Sequence, residues 1–266
     1  MIQPITLLPT MSHIKDRKVV KMKAAVFEGK QQIRIRDDYP EPIIGPEDVL
    51  IKVHYCAICG SDVTNYKQVL YQVPLVMGHE ASGVVVDIGE KVKDFSRGDR
   101  VIPINVALDV LATDGIGIFK DGAFADLVKT NQKNVFMIPE NVSMRDAVLI
   151  ESFANAFRGI RLSEIGKGER VAIIGCGNIG LSFLKVLKVI KTPNSLLAIE
   201  PHEFLRNRAL ELGASAAVKP VPSKIRKFIR KQGNIEFIFD CAGNQKSISM
   251  AIDNIQKGGT ILLEGF

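Results

Sequence analysis

Two rhythms of apolar residues divide the chain. From Lys23 to about Pro139 the apolar positions come in short runs: Ala24-Ala-Val-Phe27, Ile33-Arg-Ile35, Val49-Leu-Ile-Lys-Val-His-Tyr55 and Gly83-Val-Val-Val-Asp-Ile88. Runs of this length, punctuated by Gly-Pro, Gly-Glu and Arg-Gly-Asp, predict β-strands. Asp87 to Val101 reads as a tight meander corner, and this half as a compact, β-rich, barrel-like domain. Around 143–167 the spacing turns helical. Ser143 can cap a helix through Ala147, Val148 and Ile150, and a second helix is expected to end near Gly166. Beyond Gly168 strand and helix alternate. Arg170–Ile174 reads as a strand, and Asn178–Ile190 as a helix with Ile179, Phe183, Leu187 and Ile190 on one face. Ser195–Glu200 is the next strand, and Phe204–Leu212 a helix stopped by Gly213. Ala216–Val218, Phe237–Asp240 and Thr260–Leu263 are three more short strands. This rhythm predicts an α/β chain whose second half is a doubly wound parallel sheet. The expected organisation is an extension over 1–21, a β-rich domain over 22–150 and a dinucleotide-type domain over 151–266.

Composition agrees with a soluble, two-domain chain. The 266 residues are 46% hydrophobic and 24% charged, which suits a globular core rather than a disordered or fibrous protein. No apolar run is long enough to span a bilayer. The start, Met1-Ile-Gln-Pro-Ile-Thr-Leu-Leu-Pro9, lacks the basic and sustained apolar regions of a signal peptide. The net charge of +6 is local. Lys15, Arg17, Lys18 and Lys21 face only Asp16, and Lys219, Lys224, Arg226, Lys227, Arg230 and Lys231 face no acid. In the second cluster Ile225, Phe228 and Ile229 fall at helical spacing, so it reads as an amphipathic helix with a solvated basic face. A nucleic-acid or anion patch is the alternative, and no nucleic-acid or membrane partner is expected. The cysteines, Cys56, Cys59, Cys176 and Cys241, form no disulfide framework, so a reducing, cytoplasmic setting is expected.

Two motifs carry chemistry. Gly175-Cys-Gly177-Asn178-Ile179-Gly180 fits G-x-G-x-x-G, and it follows a predicted strand and opens a predicted helix. Its glycines allow the turn, the approach of a pyrophosphate and close helix–strand packing, while the helix N-terminus offers free N–H groups. Glu200, at the end of the next strand, can accept both adenosine ribose hydroxyls and would repel a 2′-phosphate, which favours NAD over NADP. A ligand-free glycine turn and a methyltransferase of the same fold are the alternatives. The second motif pairs Cys59-Gly-Ser61-Asp62 with Gly78-His79-Glu80. Thiolate, imidazole and carboxylate are zinc ligands, and an open fourth position makes such a site catalytic. Cys56-Ala-Ile-Cys59 is formally C-x-x-C, yet no second pair completes a four-cysteine site, so Cys56 reads as a packing residue.

Together these motifs resemble the zinc-containing alcohol dehydrogenases of the medium-chain dehydrogenase/reductase superfamily, with the polyol and threonine dehydrogenase branch the most similar. The resemblance runs from Met22 to Phe266. It is carried by Gly78-His-Glu-Ala-Ser-Gly-Val-Val-Val-Asp-Ile-Gly, Gly98-Asp-Arg-Val, Gly122-Ala-Phe-Ala-Asp, Ile138-Pro-Glu-Asn-Val, Leu212-Gly-Ala, Phe239-Asp-Cys-Ala-Gly-Asn244 and Gly258-Gly-Thr-Ile-Leu-Leu. It implies a GroES-like catalytic domain joined to a Rossmann domain, and hydride transfer between an alcohol or polyol and NAD. Cys59 and His79 are then zinc ligands. Glu80 and Glu151, the latter in Leu149-Ile-Glu151-Ser152-Phe, compete for the remaining place, and Asp62 orients His79. Ser61 passes the alcohol proton outward, with Thr64 where relatives often carry a relay histidine. Cys241 and Ala242 join the cofactor-binding set.

The resemblance also implies departures. The segment 102–114 holds no cysteine, so one catalytic zinc and no structural zinc are expected. The chain stops at Phe266, before the last strand of a six-stranded dinucleotide sheet, which reads as a C-terminal truncation. A homo-oligomer is possible for a full-length form. The pocket for a small alcohol or polyol would draw on 105–120 and Tyr66. A zinc-free reductase of the same superfamily and a catalytically inactive NAD-binding protein are the alternative readings.

Overall fold

The computed structural model describes residues 20–105 and 115–265. The described residues divide into two compact units, those within 1–56 and 61–139 and those within 57–60 and 140–266. The main division falls at Pro139/Glu140, ahead of the helical stretch.

The first unit is mostly strand. It contains β1 (Lys21–Gly29), β2 (Gln32–Pro40), β3 (Asp48–Ala57), helix α1 (Gly60–Gln68), β4 (Leu75–Val76), β5 (Glu80–Ile88), β6 (Arg100–Pro103), β7 (Leu127–Asn131) and β8 (Val135–Met137). One sheet has the order β2-β1-β4 and the other β7-β3-β5-β6-β8. The β1–β2, β3–β7, β5–β6 and β6–β8 pairs are antiparallel. Alternate residues Val49 and Ile51 of β3 turn inward and meet Ala81, Val85, Val101 and Val128 in one buried cluster, as the period-two pleat dictates. The reading of 23–139 as strands and turns misses α1. Its buried residues are Asp62 and Asn65, so no apolar stripe announces it.

The second unit contains α2 (Met144–Ala147), α3 (Ile150–Leu162), β9 (Arg170–Ile174), α4 (Asn178–Ile190), β10 (Ser195–Ile199), α5 (Glu203–Glu211), β11 (Ala216–Val218), α6 (Pro222–Gln232), β12 (Ile235–Asp240), α7 (Gln245–Asn254) and β13 (Ile255–Leu263). Two helices stand here as expected, but the first ends at Ala147, before Val148 and Ile150, and the second ends at Leu162 rather than near Gly166. Ser143 caps α2 by accepting from Asp146 N–H, and α3 begins anew at Ile150. The strands form one parallel sheet of order β11-β10-β9-β12-β13. Central β9 is buried on both faces. Val171 and Ile173 pack with Ala156, Phe183, Leu187 and Phe239, whereas Ala172 and Ile174 pack with Ile225, Phe228 and Ile238. Helices therefore cover both sides, as a doubly wound sheet requires. The basic segment forms α6 as expected, with Ile225 and Phe228 buried. The order reverses between β9 and β12, which opens a crevice at their carboxyl ends, where such sheets bind ligands.

Candidate metal centre and dinucleotide crevice

The metal-ligand candidates are set by a helix start and a tight turn. Cys59 directly precedes α1, and Asp62 lies in that helix's first turn. Buried Asn65 fixes the helix: its Oδ1 accepts from the N–H groups of Leu70 and Tyr71, each at 2.7 Å, and its Nδ2 reaches Met77 Sδ at 3.1 Å. Met77 leads into Gly78, His79 and then Glu80, the first residue of β5. Gly78 has φ of +94°, and a Cβ there would stand 2.7 Å from the Phe124 ring. A glycine is therefore required on both counts. The turn is held by bonds from Phe124 N–H to Met77 O and Ala123 N–H to Gly78 O, at 2.9 and 2.8 Å.

Cys59, His79 and Glu80 each offer a donor atom, and these atoms lie within 4.8 Å of one another. Ligands of tetrahedral zinc stand about 3.5 Å apart, so small side-chain movements suffice for this set to hold the ion. Glu80 and His79 are buried and Cys59 half-buried. His79 Nδ1 faces Asp62 Oδ1 at 3.7 Å, longer than a hydrogen bond but close enough to favour a proton on that nitrogen. Nε2 is then the ring nitrogen available to a metal, with Ser61 Oγ 3.5 Å away. The centre is electronegative: the Cys56 thiol is pushed up to about 12, first by burial and then by the charges of Asp62 and Glu80. Cys56 is thus the packing residue expected. Such a centre suits a divalent cation, which offsets the cost of burying carboxylates.

Glu151 lies in the first turn of α3, half-buried, and accepts from Asn155 Nδ2 at 2.9 Å. Thr64 lies on α1 and is half-buried. Tyr66 donates its hydroxyl to Gln31 O at 3.1 Å. Of the expected pocket segment 105–120, residues 106–114 lie outside the described residues.

The dinucleotide fingerprint forms a strand–turn–helix corner. A Cβ on Gly180 would stand 1.9 Å from Gly175 O, so that position admits only glycine. A Cβ on Gly177 would meet nothing within 4 Å, so open space remains there for a ligand. Gly177 caps α4 without a side-chain hydrogen bond, and a helix start of this kind offers first-turn N–H groups to an anionic ligand. Asn178 Nδ2 donates to Ser152 Oγ at 2.6 Å, tying α3 to the start of α4. Glu200, buried at the end of β10, accepts from Cys176 N–H and His202 N–H, each at 2.8 Å. Each oxygen keeps a further lone pair for a ribose hydroxyl.

Cys241 and Ala242 follow β12. Cys241 N–H donates to Ile174 O at 2.8 Å, and a Cβ on Gly175 would stand 3.0 Å from Ala242 Cβ. The structure therefore brings together Gly175, Gly177, Asn178, Ile179, Gly180, Glu200, Cys241 and Ala242 around one corner. Sequence reasoning missed Asp240, which is fully buried. Its Oδ1 accepts from Ala242 and Gly243 N–H and its Oδ2 from Ser247 Oγ, which shapes this loop. The Asn244/Ser247 capping box at the start of α7 was the available signal.

Comparison with known proteins supports the same assignment. Residues 45–140 match the family model for the alcohol dehydrogenase GroES-like domain. An L-threonine 3-dehydrogenase of Pseudoalteromonas translucida is 32% identical over 249 residues, covering 86% of this chain and 72% of its own. An (R,R)-butanediol dehydrogenase of Bacillus subtilis is 30% identical over 274 residues, covering 91% of this chain and 77% of its own. The crystal structure of a putative zinc-binding dehydrogenase from Sinorhizobium meliloti, bound to NADP, is 30% identical and superposes with a TM-score of 0.83, covering 92% of this chain and 77% of that one. The metal-ligand turn, the glycine corner and these relatives agree, and the chain belongs to the zinc-containing alcohol dehydrogenase family of the medium-chain dehydrogenase/reductase superfamily.

Proposed function

We propose that this protein is a zinc-dependent oxidoreductase that moves hydride between the CH–OH group of a small alcohol or polyol and NAD. The convergence of donor atoms from Cys59, His79 and Glu80 carries this reading. Those residues would hold one zinc ion, with Glu151 as the further candidate ligand. Bound zinc supplies Lewis acidity to a substrate hydroxyl, and a bound nicotinamide supplies the hydride acceptor. Asp62 holds the His79 ring so that Nε2 faces the donor set. Ser61 Oγ, 3.5 Å from that nitrogen, takes up the proton the alcohol loses and passes it on. Thr64 is the next hydroxyl along α1. It relays a proton but cannot store one near neutral pH, so the outward step needs water or another base.

Gly175, Gly177 and Gly180 would receive the pyrophosphate, and Glu200 the adenosine ribose. A carboxylate there repels a 2′-phosphate, which is the reason for expecting NAD although the Sinorhizobium relative binds NADP. The catalytic and cofactor-binding stretches are assigned to 22–150 and 151–266. None of the four cysteines is joined in a disulfide, as a reducing cytoplasm would keep them. Among the described residues no helix is long and apolar enough to cross a membrane.

Metal analysis tests the reading. We expect about one zinc per chain, lost in Cys59→Ser; unchanged stoichiometry in that variant removes Cys59 from the ligand set. With zinc restored, NADH formation should appear against a panel including threonine and butanediol. Tight NADH binding with no oxidation of any alcohol would favour an inactive NAD-binding protein instead.

A further inference from the structure

The carboxyl end of β13 carries an acid that the glycine corner does not require. Glu264 follows Ile261, Leu262 and Leu263, and its N–H and that of Gly265 both donate to Asp240 O, at 2.8 and 3.0 Å. The residue is thereby locked beside the end of β12. Its side chain turns toward α3, where a Cβ on Gly159 would stand 2.6 Å from Glu264 Oε1. The carboxylate is half-buried, and burial raises its pKa while the charge of Arg158 only partly offsets this. Its charge also acts on Cys241, a member of the cofactor-binding corner.

Sheet order fixes which half of a dinucleotide this acid would meet. The pyrophosphate of a dinucleotide sits at the glycine corner after the first strand, here β9, and the ligand lies across the carboxyl ends of the strands. Glu200 at the end of β10 marks the adenosine side. The other half must extend the opposite way, over β12 and β13, where Cys241, Ala242 and Glu264 stand. The nicotinamide ring is cationic when oxidised and neutral when reduced. A carboxylate in a partly desolvated setting attracts the first form and not the second.

We propose that Glu264 discriminates between the two redox states of the nicotinamide, holding the oxidised cofactor more tightly than the reduced one. This rests on the dinucleotide reading given above. It would also leave NADH the more weakly held form, which favours its release after alcohol oxidation.

Calorimetric titration of the full chain at pH 8 with NAD, NADH and ADP-ribose tests the proposal, since ADP-ribose lacks the nicotinamide. In Glu264→Gln the Kd for NAD should rise about five- to tenfold, with NADH and ADP-ribose changed less than about twofold. Arg158→Gln, at an exposed position, should move the NAD/NADH ratio the other way. Unmoved ratios in both variants overturn the proposal and leave the dinucleotide reading standing. Equal weakening of all three ligands in Glu264→Gln, with no opposite shift in Arg158→Gln, also overturns it and assigns Glu264 a packing role. Wild-type protein that binds none of the three overturns both readings.

Discussion

Cys56 and Cys59 show how far neighbouring residues of one type can be told apart. The C-x-x-C spacing treats them alike, and only the lack of a second pair and the flanking glycine separate them in the sequence. Folding separates them physically. Cys56 sits on β3 with its thiol pushed up to about 12 by burial and by Asp62 and Glu80. Cys176 is likewise pushed up to about 12, by burial and then by Glu200, and Cys241 is raised well above the ordinary thiol value, again chiefly by burial. The thiolate is the nucleophile in alkylation, so a thiol held protonated is inert. Iodoacetamide at pH 8 should therefore modify Cys59 in chelator-treated protein and spare Cys56 and Cys176, and zinc should protect Cys59. Peptide mass spectrometry reads this directly. Modification of Cys56 as fast as Cys59 would mean that the cluster of Asp62, Glu80 and Cys56 is not closed in solution. The pairing of His79 with Asp62 was implied by the family resemblance, whereas its length of 3.7 Å was not, because that depends on where α1 meets the start of β5.

Elements were legible where one face is apolar and the glycines are local signals. The helix Asn178–Ile190 was read to the residue because Phe183 and Leu187 repeat at helical spacing, and Ile179 and Ile190 flank them in the same cluster. Helix α1 was invisible because its inward residues are polar; its place is set by Asn65 bonding to Leu70 and Tyr71. Strand β13 starts at Ile255 rather than Thr260. Its register against β12 jumps from Ile235↔Ile255 to Phe237↔Thr260, so extra residues including Gly258-Gly259 bulge out of the ladder. A Gly-Gly pair reads as a break, and only the parallel partner shows that pairing resumes. The glycine corner gives the element-scale prediction. In Gly180→Ala the new methyl would occupy a site 1.9 Å from the Gly175 carbonyl oxygen, a backbone atom that cannot step aside. Helix α4 must then move away from β9, and the pyrophosphate site opens. ADP-ribose affinity should fall at least about tenfold, with a stability loss of roughly 1–3 kcal/mol seen in denaturant unfolding. Native affinity in that variant would mean the corner is more yielding than its packing indicates.

At the scale of the molecule, each unit has its own apolar interior: Val49, Ile51, Val85 and Val101 in the first, Val171, Ile173, Phe183 and Phe239 in the second. The second was the easier to read, since β-α-β alternation puts contacting elements next to one another in sequence. The first assembles from strands as distant as β3 and β7, whose pairing of Ile51 with Val128 leaves no local trace. Separate interiors imply that ligands stabilise separately. A ligand that binds only the native state stabilises it by about 2.7 kcal/mol at a hundredfold excess over its Kd. For a unit of this size that is a rise of roughly 5–15 °C in the midpoint. In scanning calorimetry ADP-ribose should raise the transition of the unit holding Gly175, Gly177 and Glu200. A zinc chelator should lower the transition of the unit holding His79 and Glu80, because their buried donors then lose the cation that offsets their burial. Two endotherms moving independently is the expected result. One endotherm moved equally by both reagents would show that the units unfold as a single cooperative body, and the separate interiors would then describe packing but not stability.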